Sequence, residues 1–128
     1  VHFNGKVGAL LEVEASSDAV AKAVKQTADE IAMHITAINP LGLDKSSIDP
    51  AIVEKERAIA AEQVKDKPAN ILEKIVDGKI GKFFKDNCLV EQPFVKDDSV
   101  TVGQALTQAA KSAGGQAKIK RFVRVEIG

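Results

Sequence analysis

The sequence predicts an α+β fold in which a small antiparallel sheet packs on helices and a helical hairpin protrudes. Two observations favour this class. Segments with alternating apolar residues lie at the two ends of the chain, and segments with helical spacing fill the interval between them. The length of 128 residues is enough for one domain, and the core must be mainly aliphatic because only 4% of the residues are aromatic. We therefore expect one domain over residues 1–128, with residues 50–88 as a helical hairpin insertion.

The first part of the chain predicts a strand followed by a long helix. Side chains alternate in character over residues 7–15, which is the period of a strand. Residues 16–18 offer side-chain oxygens for a helix N-terminus, and apolar residues then recur every three or four positions until about Ala37. Pro40 and Gly42 are expected to end this single amphipathic helix, because proline disfavours helix before it and glycine permits positive φ.

The middle of the chain predicts the helical hairpin. Asp49 can cap a helix whose first residue, Pro50, tolerates the missing amide hydrogen. The break at residues 65–68 indicates a turn, after which helical spacing resumes as far as Cys88. Two glycines lie inside this second helix and permit a kink there.

The last part of the chain predicts a connection, a short helix and a closing strand. Residues 91–99 are expected to form a surface connection with at most a short extended piece. Thr101 and Gln104 have the spacing of a capping box for a helix that ends at residues 114–115. The final segment alternates, so we expect it to pair with the first strand. Its predicted faces are Ile119, Arg121, Val123, Val125 and Ile127 on one side and Lys120, Phe122, Arg124 and Glu126 on the other.

Composition excludes several function classes. The 18 basic and 18 acidic residues give a formal net charge of zero, which argues against direct nucleic-acid binding through a basic surface. One cysteine and two histidines are too few for a disulfide framework or a Cys/His zinc site. No phosphate-binding loop motif is present, and the most apolar stretch, residues 31–43, is too short to cross a bilayer. We expect no metal, no cofactor and no membrane partner.

The start of the chain indicates processing or fragmentation. It opens at Val1 rather than at methionine, and no signal-peptide pattern follows. The expectation is a piece of a longer polypeptide, located in the bacterial cytoplasm or in an organelle matrix.

Two residues could carry chemistry, and both have a structural alternative. Cys88 ends a helical apolar series, and a packed thiol is favoured over a nucleophile because no nucleophile motif surrounds it. His34 lies between Ile31 and Ile35, where a partly buried imidazole is favoured over a general base. A small hydrolase that uses His34 and a carboxylate remains the weakest alternative.

Charge is unevenly distributed between the two predicted strands. Residues 118–126 carry a basic surplus, whereas residues 12–30 carry an acidic surplus. If the strands pair, these charges neutralise each other across the sheet, and the alternative is a polar protein interface.

Five blocks of the sequence, in order, match segments of a known protein family. The most specific block is residues 73–97, which read EKIVDGKIGKFFKDNCLVEQPFVKD and are similar to the family segment EKIVEGR…LLEQPFVKD. The other blocks are residues 5–14, 29–35, 52–57 and 121–128. On these blocks the chain resembles the elongation factor Ts family, and the resemblance covers essentially the whole chain.

The resemblance implies a guanine-nucleotide exchange factor that acts on the translational GTPase elongation factor Tu. Such a factor promotes GDP release by binding the nucleotide-free GTPase, and it performs no covalent chemistry. The resemblance also implies an α+β core of antiparallel strands against helices, with a protruding helical hairpin. The alternative is a dimerisation or structural module of the same fold with weak or no exchange activity, since single-core members can form homodimers through their sheet.

The resemblance also implies candidate partner-binding residues. The family motif TDFV, whose Asp-Phe pair lies against the GTPase, falls on Ser17, Asp18, Ala19 and Val20, and His2 occupies the histidine position before the first strand. Two departures are visible. The N-terminal module with its TGAG motif has no counterpart, and Ala19 stands where the family has phenylalanine. The chain therefore resembles either the second half of a duplicated core or a divergent single core with weakened exchange.

Overall fold

A computed structural model describes the backbone of residues 2–4 and 6–127 and the side chains of residues 6–127. Ten main elements follow in chain order. They are β1 (His2–Asn4), β2 (Val7–Ala15), α1 (Asp18–Ala23), α2 (Lys25–Ile38), α3 (Pro50–Gln63), α4 (Ala69–Asn87), β3 (Pro93–Phe94), β4 (Asp97–Thr101), α5 (Val102–Ser112) and β5 (Ala117–Glu126). Short 3-10 turns lie at Lys45–Ser47 and Leu89–Glu91. The α+β class and the protruding hairpin are confirmed.

The sheet has three antiparallel strands in the order β1-β2-β5, so the two ends of the chain pair as predicted. Its inner face packs against α1, α2 and α5. The core between these layers is mainly aliphatic and contains one aromatic ring among its buried members. Those members are Ala9, Val20, Val24, Ile31, Ala32, Ile35, Leu89, Phe94, Val102, Leu106, Ala110 and Ile119.

The single long helix predicted up to Ala37 is wrong, because the structure divides it into α1 and α2 at Val24. Val24 has φ −91° and ψ 0°, and its amide donates to the carbonyls of Lys22 and Val20. Its side chain is buried, as is that of Val20. The apolar spacing in the sequence continues through Val24, but the packing of these valines in the core divides the helix there. The helix ends at Asn39, which adopts the left-handed conformation (φ 54°) that was expected of Gly42.

The predicted faces of β5 are wrong beyond Ile119, because the strand contains a bulge. Glu12 pairs with Arg121, but the next residue, Val13, pairs with Ile119, so Lys120 is an extra residue. The bulge reverses the alternation. Phe122 and Arg124 therefore lie on the inner face with Ile119, and the valines that follow the bulge lie on the outer face. Val123 and Val125 are 48% and 56% exposed.

The bulge also determines which charged residues of β2 and β5 lie opposite each other. Arg121 forms a hydrogen-bonded ion pair with Glu12, and Lys118 lies 3.9 Å from Glu14. The expected neutralisation across the sheet is confirmed at these two positions. Both pairs are exposed, so each contributes little to stability.

The segment predicted as a surface connection is exposed over residues 95–99, but two of its residues, Gln92 and Phe94, are buried. Residues 93–101 form the small antiparallel hairpin of β3 and β4, and Phe94 is only 5% exposed. Gln92, just before it, is 3% exposed. Burial of a polar side chain cannot be read from periodicity, because it depends on a distant hydrogen-bond partner.

The helical hairpin, called the arm here, consists of α3, α4 and the turn between them (residues 50–87). Asp49 caps α3 with Pro50 at the first position, and α4 runs without interruption through both glycines. The arm has its own apolar cluster around Ala60, Val76 and Ile80, separate from the core cluster. Arg57 and Asp77 join the two helices at 2.8 Å.

Candidate functional site

The residues that correspond to the family motif lie where the chain leaves β2 and enters α1. Ser17 is extended, and its hydroxyl accepts a hydrogen bond from the Val20 amide at 3.2 Å. Asp18 occupies the first helical turn, where a carboxylate interacts favourably with unpaired amide groups. Local capping therefore determines the position of these side chains. We call residues 16–20 the Ser17 turn.

The members of the Ser17 turn differ in accessibility. Ser17, Asp18 and Ala19 are exposed, whereas Val20 is 2% exposed and belongs to the core. Three of the predicted partner-binding residues can therefore touch another molecule. Val20 packs beneath the turn as part of the core.

His2, the fifth candidate, lies at a different part of the sheet. Its side chain is outside the described residues, but its backbone pairs with Ala9, which in turn pairs with Arg124. Ala9 and Ala15 are six residues apart on β2, which corresponds to about 20 Å along a strand. The structure therefore does not bring His2 next to the Ser17 turn.

An open groove of about 700 Å³ borders the Ser17 turn, and sequence reasoning missed it. Its walls are the end of β2, one face of α5 and the start of β5. The lining residues are Glu14, Ala15, Ser16, Thr107, Lys111, Gly115, Gln116, Ala117 and Lys118. Two lysines against one carboxylate make the groove more suitable for an acidic segment than for a basic one.

Ser16 joins the groove to the turn. Its hydroxyl accepts a hydrogen bond from the Gln116 amide at 2.9 Å, and its own amide donates to the Gln116 carbonyl at 2.9 Å. Beside this pair, a Cβ added to Gly115 would collide with the side chains of Ser16 and Val20. In the sequence, Gly114 and Gly115 indicate the end of α5. They do not indicate that this turn packs closely against residues 16–20, about a hundred positions earlier in the chain.

His34, the candidate base of the hydrolase alternative, is fully buried. Its Nε2 donates to Gln92 Oε1 at 2.8 Å, and its Nδ1 accepts from the Val95 amide at 3.3 Å. Burial lowers the pKa of His34, and the bond to Gln92 opposes that effect. Among the described residues the ring has an amide partner rather than a carboxylate, so the arrangement for hydrolysis is not formed.

Cys88 is a packed thiol. It is 0% exposed, and burial together with the nearby Glu91 carboxylate raises its pKa to about 11. The thiolate, which is the nucleophilic form, is therefore disfavoured at neutral pH.

Neither a metal cluster nor a membrane-spanning helix is present in residues 6–127, whose side chains the structure describes. No group of three or more His, Cys, Asp or Glu side chains in this part of the chain is arranged to hold a metal ion. In the same residues, every helix is too short or too polar to cross a bilayer.

Comparison with known proteins identifies the family. The family described as Elongation factor TS matches residues 1–128. Elongation factor Ts of a Nitratiruptor species is 46% identical over 130 residues, which cover 100% of this chain and 43% of that protein. Elongation factor Ts of Fervidobacterium nodosum is 42% identical over 132 residues, covering 100% of this chain and 67% of the relative. The chain thus spans from under half to about two thirds of the length of these relatives. It belongs to the elongation factor Ts family.

Proposed function

We propose that the chain promotes GDP release from elongation factor Tu by binding the nucleotide-free GTPase. The observation that carries the proposal is the family match over residues 1–128. The chain would act through binding alone, with no covalent chemistry, cofactor or direct nucleic-acid contact. We also propose that the chain does this as part of translation elongation.

The physical basis of such exchange is thermodynamic linkage. A factor that prefers the empty GTPase weakens GDP binding, and GDP must weaken binding of the factor by the same ratio. Accelerating release by about 10³ to 10⁵ requires relative stabilisation of the transition state by about 4–7 kcal/mol. A protein interface of ordinary size can supply that energy.

The Ser17 turn and the groove beside it are the proposed contact surface. They support the proposal because they are contiguous, exposed and built on rigid elements: a capped helix, α5 and paired strands. Asp18 and the groove lysines offer charges of both signs. The arm is the proposed second contact, since it projects from the core on its own apolar cluster.

The decisive experiment follows release of fluorescently labelled GDP from elongation factor Tu after the chain is added. We expect release to accelerate with the concentration of the chain. Excess unlabelled GDP should dissociate the complex, as linkage requires. Failure of the chain to bind the GTPase in any nucleotide state would overturn the proposal.

A matched pair of charge reversals tests the location of the surface. Lys111→Glu changes the groove, whereas Lys96→Glu makes the same charge change at the exposed end of the β3–β4 hairpin. We expect the first variant to weaken binding and the second to leave it unchanged. Equal effects would show that net charge, rather than the groove, matters.

A second candidate function is self-association through the outer face of the sheet, with weak or no exchange. The observation that favours it is an outer strip of four apolar residues beyond the bulge. The strip consists of Leu10, Val123, Val125 and Ile127, which are between 48% and 68% exposed. Contiguous exposed apolar side chains are typical of protein interfaces.

The domain organisation of the chain and its cellular compartment are also proposals that rest on the family match. We propose that residues 1–128 form one core domain of the family, with residues 50–88, which contain the arm, as an insertion. The bacterial sources of the relatives support a bacterial cytoplasm, with an organelle matrix as the alternative.

A further inference from the structure

A chain of three hydrogen bonds connects the core to the base of the arm. The Val95 amide donates to His34 Nδ1 at 3.3 Å, and His34 Nε2 donates to Gln92 Oε1 at 2.8 Å. Gln92 Nε2 then donates to the carbonyl of Asp86, in the last turn of α4, at 2.8 Å. We call this series the His34 relay.

The relay can form with only one protonation state of the ring. A backbone amide can only donate, so Nδ1 must be the acceptor. The Asp86 carbonyl can only accept, so Gln92 must direct its NH₂ there and its oxygen towards His34. Nε2 therefore carries the proton, and the imidazole is neutral.

The arm joins the core at its base, where Ile48 and Cys88 are also buried. The arm cluster around Val76 and Ile80 is separate from the core cluster, so the two bodies are joined at the arm's base. Backbone hydrogen bonds join the loop after α2 to residues 87–90, including Leu41 to Asn87 and Leu89 to Gly42. Lys45 Nζ also lies over the Phe84 ring of α4, 5.5 Å from its centroid. The His34 relay is a second side-chain connection at this junction, and it comes from a different element, α2.

We propose that His34 is a positioning residue for the arm: through Gln92 it fixes the direction in which α4 leaves the core, and it does so only as neutral imidazole. A proton added at Nδ1 would place a second donor against the Val95 amide, and that bond would break. The charged buried ring would also be poorly solvated, so the relay would loosen in acid.

Charged groups on the neighbouring elements do not replace the relay. The hydrogen bonds of the ring to described residues are those to Gln92 and Val95. Asp86 contributes its backbone carbonyl, while its carboxylate pairs with Lys82 at 2.7 Å on the surface. The charged residues within four positions of His34, Gln92 or Val95 along the chain are Glu30, Glu91, Lys96, Asp97 and Asp98, and Arg124 of β5 donates to the carbonyl of Thr36 in α2 at 3.2 Å.

The test measures the distance between spin labels on the arm and on the core. Lys67→Cys lies in the exposed turn of the arm, and Ser112→Cys lies at the exposed end of α5. Cys88 is buried with a raised thiol pKa, so labelling at neutral pH selects the two new sites. The ¹⁵N shifts of the His34 ring, measured in parallel, report its tautomer and protonation.

Two substitutions at position 34 separate positioning from packing. Glutamine places an NH₂ group close to the position of Nε2 and does not titrate, so His34→Gln should keep the bond to Gln92. His34→Ala removes it. We expect one narrow distance at neutral pH in the unsubstituted chain and in His34→Gln, and a broadened distribution in His34→Ala.

The pH dependence keeps the test decisive even if His34→Ala fails to fold. At the acidic pH where the His34 ring titrates, the distance in the unsubstituted chain should broaden, while that in His34→Gln should stay narrow. Identical behaviour of these two proteins, or global unfolding before the ring titrates, would overturn the proposal. So would a folded His34→Ala with an unchanged distance.

An exchange assay adds the functional consequence, which rests on the proposed function. If a fixed arm supports contact with elongation factor Tu, His34→Ala should lose part of its acceleration of GDP release and His34→Gln should keep it. Absence of exchange in the unsubstituted chain would overturn the proposed function but leave the distance result standing.

Discussion

The Nε2 atom of His34 lies 2.8 Å from the side-chain oxygen of Gln92, 58 residues further along the chain. Both residues are buried, at 0% and 3% exposed. A buried polar pair is stable only when each group is satisfied, and removing one partner leaves the other without compensation. This pair therefore makes the stability of the fold depend on the protonation of one ring.

Stability should fall as the pH drops below 6.5, the ordinary pKa of histidine. Burial lowers the pKa of His34, so the unfolded chain takes up this proton at a higher pH than the folded chain does. The unfolded state binds more protons between the two pKa values, and the free energy of unfolding decreases as pH falls through that interval. Urea denaturation at a series of pH values measures this slope.

The matched variant for this prediction is His34→Gln, which cannot titrate. Its free energy of unfolding should depend less steeply on pH than that of the unsubstituted chain in the interval below pH 6.5. Titration of Asp44 does not contribute in this interval, because hydrogen bonds from Ser46 and Ser47 lower its pKa from 3.8. Parallel slopes for the two proteins would contradict the prediction.

Two glycine-to-alanine substitutions should change stability in opposite directions. A Cβ at Gly115 would collide with Ser16 and with the buried Val20, so Gly115→Ala should destabilise the fold by about 1–3 kcal/mol. A Cβ at Gly78, inside α4, would meet no atom within 4 Å, so Gly78→Ala should stabilise the helix by about 1 kcal/mol. Thermal unfolding of both variants provides the measurement, and the same sign for both would be inconsistent with this packing.

Local chemistry explains which elements could be predicted from the sequence. The capping box of Thr101 and Gln104 forms as expected, with bonds of 2.8 and 3.1 Å. The cap at Asp49 forms as well, and its side chain accepts from the Ala51 amide at 2.9 Å. In each case the residues that determine the element lie within three positions of one another, so a single sequence contains the whole signal.

The expectations that failed depended on residues far apart in the chain. The bulge at Lys120 exists only in relation to β2, so alternation within β5 alone gave the wrong faces. Burial of Gln92 depends on His34, and the groove depends on the approach of α5 to the Ser17 turn. The candidate residues at positions 17–20 came from resemblance to a family, whereas their exposure came from the fold.

Adding an aromatic side chain at position 19 should increase exchange. Ala19 is exposed at the start of α1, where the family motif has phenylalanine, so Ala19→Phe can project a ring without disturbing the core. We expect faster release of labelled GDP from elongation factor Tu. Ala21→Phe places the same ring at another exposed position of α1 and should have no effect. An unaltered release rate in Ala19→Phe would reject the idea that the missing ring limits exchange.

If copies of the chain associate through the outer strip, a charge placed there should separate them. Val123 lies opposite Leu10 on the outer face, and the two side chains are 48% and 52% exposed. In a dimer, Val123→Lys would bury an unpaired ammonium group, which is unfavourable in an apolar interface. Sedimentation equilibrium should therefore show a shift to monomer. Thr107→Lys, at an exposed position of α5, adds the same charge away from the strip and should leave the association unchanged. A monomer at all concentrations before substitution would exclude self-association through this face.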